Sequence, residues 1–144
     1  MIIYTVSPDK KPVGQKRARQ GKKRGKKILI VDDDPTMAYL MLYAMEGEGH
    51  SVHWAKDARE ALTFAEVRAP RMIFSDIEMP GEMNGLELAA RLHLSGHRMP
   101  LWLMSGNLDR FAGQVESAMA SGHARGFLDK PIEISALKSL ARQF

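Results

Sequence analysis

The sequence predicts an α/β domain with a doubly wound parallel sheet, and three observations carry that prediction. Five short apolar runs, ending near residues 31, 55, 75, 104 and 128, alternate with segments whose apolar residues recur at helical spacing. The first run, Ile28-Leu29-Ile30-Val31, is four consecutive β-branched or leucine residues, as expected of a strand buried on both faces in a parallel sheet. Polar residues follow the apolar runs: Asp32-Asp33-Asp34 after the first, Asp76 after the third, Ser105 after the fourth and Lys130 after the fifth.

The chain has 144 residues, enough for one domain with its own core and too few for two ordinary ones. Hydrophobic content of 44% and charged content of 26% fit a globular protein. Without cysteine there are no disulfides and no cysteine-ligated zinc. No apolar run approaches the ~20 residues of a membrane span, and Met1–Val6 is too short for a signal-peptide core. These features exclude membrane insertion and point to a cytoplasmic protein. The net charge of +4 averages two unlike parts. Residues 1–27 hold ten Lys/Arg and one acid; residues 28–144 hold 11 Lys/Arg and 16 Asp/Glu and are acidic. The division expected is a basic, disordered leader over 1–27 and a folded domain over 28–144.

Each element has local grounds. Asp34 caps the first helix, Pro35 suits its first turn, and Met37, Leu40, Met41, Ala44 and Met45 mark its inner face before Gly47-Glu48-Gly49 ends it. Ser51–Ala55 is a short strand. Asp57 then caps a second helix, with Glu60 in the capping-box place and Ala58, Ala61, Leu62 and Ala65 inward. Pro70 closes that unit, and Arg71–Ser75 form a third strand ending in Asp76. After the turn at Met79-Pro80-Gly81, Asn84 and Glu87 start a third helix through Leu86, Leu88, Ala89 and Leu92. Pro100 introduces Leu101–Met104, and Phe111, Val115, Ala118 and Met119 mark a fourth helix. Gly126–Leu128 is a fifth strand, and Ile134, Leu137 and Leu140 mark a last helix.

Five such units give a flavodoxin-like (βα)5 sheet of order 2-1-3-4-5, whose ligand site lies at the switch point between strands one and three. That order brings Asp32 and Asp33 beside Asp76, with Ser105 and Lys130 along the same edge. Two like charges about 4 Å apart repel by roughly 4 kcal/mol at an effective dielectric near 20, so adjacent acids at a strand end hold a cation, shift their pKa values, or form a solvated acidic turn. The oxygen-rich set suits Mg2+, which binds through one or two carboxylates plus a phosphate. A carboxylate so neutralised can accept a phosphoryl group, with Lys130 supplying a point charge and Ser105 a hydroxyl to its oxygens.

Four stretches together, ILIVDDDP, Ile73–Gly81, Leu103–Gly106 and Phe127–Pro131, resemble the receiver domains of bacterial two-component response regulators over residues 28–144. The resemblance implies Asp76 as phosphoacceptor, Asp33 as a direct Mg2+ ligand, Asp32 as a ligand through water and the backbone carbonyl of Glu78 as a further ligand. It implies Ser105 and Lys130 at the phosphoryl group, and Phe127 as the aromatic whose rotamer follows Ser105. It also implies a histidine kinase or histidine phosphotransfer protein as donor and a downstream protein target. With nothing after the fifth helix, the expected form is a stand-alone regulator, no enzyme beyond its own phosphorylation and dephosphorylation. Two departures stand out: Gly81-Glu82-Met83-Asn84-Gly85 is one residue longer than the family loop, and Ser105 to Lys130 runs a few residues long.

Two other functions compete. Asp32-x-Asp34-x-Thr36 after a strand also resembles the first motif of haloacid-dehalogenase-like phosphatases, and Leu101–Ser105 their second, but that reading leaves Asp76–Pro80 unexplained and residues 28–144 are short for that fold. A nucleic-acid-binding role would work through the cations of residues 10–27, which lack interleaved aromatics. The five histidines have no ligand spacing on a helix face and read as surface or packing residues. Trp54 and Trp102 read as structural, and the ten methionines as core filling.

Overall fold

The computed structural model of the chain describes residues 3–6 and 25–144. A six-stranded sheet forms from β1 (Ile3–Val6), β2 (Lys27–Val31), β3 (Ser51–Ala55), β4 (Met72–Asp76), β5 (Leu101–Ser105) and β6 (Gly126–Asp129) in the order β1-β3-β2-β4-β5-β6. The five strands from β2 onward are parallel, in the 2-1-3-4-5 order expected. The sequence reading assigned no strand before residue 28. In the structure β1 pairs antiparallel with β3, from Ile3 opposite Ala55 to Val6 opposite Val52, and covers what is otherwise an open sheet edge. The remainder of the basic leader up to residue 24, including its expected disorder, lies outside the described residues.

The helices are α1 (Pro35–Glu46), α2 (Ala58–Arg68), α3 (Gly85–Leu94), α4 (Ala112–Ala120) and α5 (Ile134–Gln143), with a 3-10 turn at Leu108–Phe111. Successive strand residues point to opposite faces, so each strand feeds two cores. Ile28, Ile30, Phe74 and Met104 pack with Met41, Met45, Leu137 and Ala141 of α1 and α5. Leu29, Val31, Ile73 and Leu103 pack with Ala61, Leu88, Ala89 and Val115 of α2, α3 and α4. β2 and β4 are buried along nearly their whole length, and this continuous apolar character was readable in the sequence.

Caps fix where the helices begin. Asp34 Oδ1 accepts from Thr36 N at 3.0 Å, and Asn84 and Glu87 form a full capping box at α3. At α2, Asp57 caps as expected, whereas Glu60 reaches one residue further back, to the backbone N–H of Lys56. The inner face of α1 is rotated from the expected one: Ala38, Met41, Leu42 and Met45 are buried, and Leu40 is 49% exposed. Met119, expected inward, is 39% exposed, because the 3-10 turn carries Phe111 inward and α4 begins after it. No helix among the described residues is long and apolar enough to cross a membrane.

Candidate functional site at the carboxyl rim of the sheet

Parallel strands put all their carboxyl ends on one rim, and the helices that follow start there with their positive dipole ends. Asp32 follows β2 and is fully buried. Its backbone is held on both sides: the N–H donates to the Ala55 carbonyl at 3.1 Å, and its carbonyl accepts the indole N–H of Trp54 at 2.6 Å. One carboxylate oxygen accepts the Asp34 N–H at 2.9 Å, and the other accepts Lys130 Nζ at 2.9 Å. Asp32 is thus a paired acid, whereas Asp33 beside it is exposed.

Asp76 ends β4 in register with Met104 and is 7% exposed. Lys130 Nζ lies 3.3 Å from its Oδ2, so one ammonium group bridges Asp32 and Asp76. Burial is the chief reason the Asp76 carboxyl is pushed up to about 6; Lys130 pulls it down, and Asp32 and Asp33 add to the rise. Burial alone would lower Lys130, but the hydrogen bond and charge of Asp32, reinforced by Asp76, hold it above its ordinary value. Carboxylate oxygens of Asp32, Asp33 and Asp76 lie within 4.8 Å of one another, a hard-oxygen donor set that fits Mg2+.

The other expected residues sit around this centre. Ser105 is buried at the end of β5, and its Oγ accepts the Asn107 N–H at 2.9 Å. The backbone N–H of Lys130 donates to the Ser105 carbonyl, tying the ends of β5 and β6 together. Phe127 is 47% exposed and borders a cleft with Asn107, Leu108 and Val115. Glu78 is exposed in the loop after β4, with Oε2 2.9 Å from Arg110 Nη1.

Three supporting residues escaped the sequence reading. Trp54 was read as structural only; the signal was that a buried indole N–H needs an acceptor. Ser75 Oγ donates to the Asp76 carbonyl at 2.9 Å. Gly85, the first residue of α3, packs so closely that a Cβ there would lie 2.1 Å from the Asp76 carbonyl oxygen, a contact between residues nine apart that no local pattern announces.

Residues 28–142 match the family model for the response regulator receiver domain. The chain belongs to that family. It is 35% identical over 113 residues to the nitrogen assimilation regulatory protein NtrX of Azorhizobium caulinodans, an alignment covering 76% of this chain and 24% of that protein. It is also 35% identical over 122 residues to an uncharacterised 14.6 kDa protein of Leptolyngbya boryana, covering 81% of this chain and 88% of the relative. Among solved structures, the receiver domain of NtrX from Brucella abortus superposes with a TM-score of 0.71 at 32% identity, covering 81% of this chain and 95% of that one. The chain spans about a quarter of the length of the NtrX relative. The haloacid-dehalogenase-like reading is not favoured: Asp34, the second acid of that motif, is exposed and caps α1.

Proposed function

We propose that this receiver domain accepts a phosphoryl group on Asp76 from a histidine kinase or histidine phosphotransfer protein in the cytoplasm, and that the adduct alters binding of a protein target. The single observation carrying this reading is the Lys130 ammonium group shared between Asp32 and Asp76 at 2.9 and 3.3 Å. It offsets carboxylate charge at the acceptor and offers a donor to a phosphoryl oxygen.

An Asp76 carboxylate oxygen attacks phosphorus as the donor's N–P bond breaks; the imidazole nitrogen keeps the electron pair and takes a proton. The product is an acyl phosphate, later hydrolysed by water to the carboxylate and phosphate. Asp32, Asp33, Asp76 and the Glu78 backbone carbonyl are the groups that would hold Mg2+, which when bound neutralises charge on the phosphoryl oxygens. Lys130 then follows the phosphoryl group. Ser105 Oγ, now an acceptor for Asn107 N–H, turns its hydroxyl toward a phosphoryl oxygen, and Phe127 moves from its half-exposed position with it.

The test is incubation with acetyl phosphate and magnesium, read by intact mass, with Asp76→Asn alongside. One added phosphoryl group, absent from the variant and without metal, is the expected result. An unmodified wild-type protein with its fold intact by circular dichroism would overturn the phosphoacceptor reading.

A further inference from the structure

Glu78 lies in the loop after β4, two residues beyond Asp76, and Arg110 in the 3-10 turn that opens the long segment after Ser105. They form an ion pair at 2.9 Å, with side chains 48% and 63% exposed. Arg110 is held in place from two directions. Its N–H donates to the Asn107 carbonyl at 3.1 Å, and the Asn107 N–H donates to Ser105 Oγ. Its guanidinium stands 5.3 Å from the ring centroid of Phe111, which is anchored in the core. Glu78 in turn follows Asp76 by two residues, at most about 7 Å of chain.

The charges here are unbalanced. Lys130 is engaged by Asp32 and Asp76, and Asp33 and Glu78 add two further acids after the same two strands. An exposed pair such as Glu78–Arg110 is weak and screened by solvent, so Arg110 leaves Glu78 at little cost. A phosphoryl group carries about −2 charge and three acceptor oxygens, more charge than the single exposed carboxylate that Arg110 holds here.

We propose that Arg110 is a second phosphoryl-binding cation of this site, parked on Glu78 until a phosphodonor arrives, when it turns to the incoming phosphoryl oxygens. This role rests on the phosphoacceptor reading of Asp76. Arg110 attracts dianionic phosphodonors and screens Glu78 from them, and Glu78 competes with the donor for Arg110.

The rate of adduct formation with acetyl phosphate and magnesium, followed by intact mass in wild type, Arg110→Ala, Arg110→Lys and Glu78→Gln at low and high ionic strength, tests this. At low salt Arg110→Ala slows phosphorylation about five-fold, Arg110→Lys stays within about two-fold of wild type, and Glu78→Gln is faster than wild type. The Arg110→Ala deficit shrinks toward unity near 1 M salt, where the screening length is about 3 Å. Arg110→Ala at or above the wild-type rate, a deficit indifferent to salt, or Arg110→Lys as slow as Arg110→Ala would each overturn the role of Arg110 and leave Asp76 as acceptor. No adduct on the wild-type protein would overturn both.

Discussion

The two rims of the sheet carry opposite chemistry. The carboxyl rim gathers Asp32, Asp33, Asp76 and Glu78; the amino rim gathers Lys26, Lys27, His50, Arg71, Arg98, His123 and Arg125. Parallel topology explains the division. Every helix begins at the carboxyl rim, where its dipole favours anions, and ends toward the amino rim, where it favours cations. The titration behaviour is correspondingly opposite. Burial, offset in part by Lys130, raises the Asp76 carboxyl to about 6; burial, then Lys27 and Arg68, lowers the His53 imidazole to about 4. At Asp76 on the carboxyl rim, and at His53 in the middle of β3, the environment favours the neutral form. Among the described residues, only the carboxyl rim then adds a bridging ammonium group and an oxygen donor set, which is what separates a site from a charged surface.

The comparison breaks most severely if Lys130 is removed. Lys130→Ala strands the fully buried Asp32 carboxylate without its cation, and denaturant unfolding without divalent cations should show a loss of about 3–5 kcal/mol. Added Mg2+ should restore part of that loss if the donor set binds metal. A loss below 1 kcal/mol would mean that Asp32 does not depend on Lys130 for its charge balance.

Gly85→Ala comes next. Its Cβ would press on the Asp76 carbonyl at 2.1 Å, and α3 must shift away from β4 to relieve it, at about 2–3 kcal/mol by the same measurement. Wild-type stability would show that α3 moves freely.

Asp76→Asn should stabilise the protein by about 1–3 kcal/mol at pH 7.5 in the presence of a chelator. The folded carboxyl keeps its proton up to about pH 6 and the unfolded one loses it near its ordinary value of 3.8. Over that window the folded state binds more protons, so the wild-type contribution from Asp76 falls as pH rises and is at its worst above pH 6. The advantage of the variant must therefore vanish below about pH 4; a gain that persists there has another origin.

His53 sharpens the contrast with the reverse slope. Its folded imidazole is neutral down to about pH 4 while the unfolded one protonates near 6.5. Stability should fall by about 2–3 kcal/mol as pH drops across that window, and His53→Leu should flatten the dependence in thermal melts. A variant with the wild-type slope would assign it to other groups, His50 first, whose pKa is lowered by burial and then by Lys26.

How much of this was legible in the chain differs between the rims. At the carboxyl rim, Asp32, Asp76, Ser105 and Lys130 each stand at the end of an apolar run, so recognising the strands located the site. At the amino rim, His93 and His123, whose rings stand 5.0 Å apart, belong to the end of α3 and the connection before β6, and no spacing announces their contact. The face of α1 was misjudged at Leu40 because Leu and Met recur too densely there for periodicity to choose between adjacent stripes.

The sequence by itself determined the five strands and the polar residues that follow them, because continuous apolar runs, caps and alternation are local properties, and the strand order followed from the fold class that the alternation implies. Only tertiary structure decided that Asp32 is paired and Asp33 exposed, that Trp54 and Gly85 shape the surroundings of Asp32 and Asp76, that Arg110 meets Glu78, and that Ile3–Val6 joins the sheet. Each of these is a contact between segments distant in sequence, and its energy arises from burial and from charges brought close by folding, quantities that no window of neighbouring residues contains.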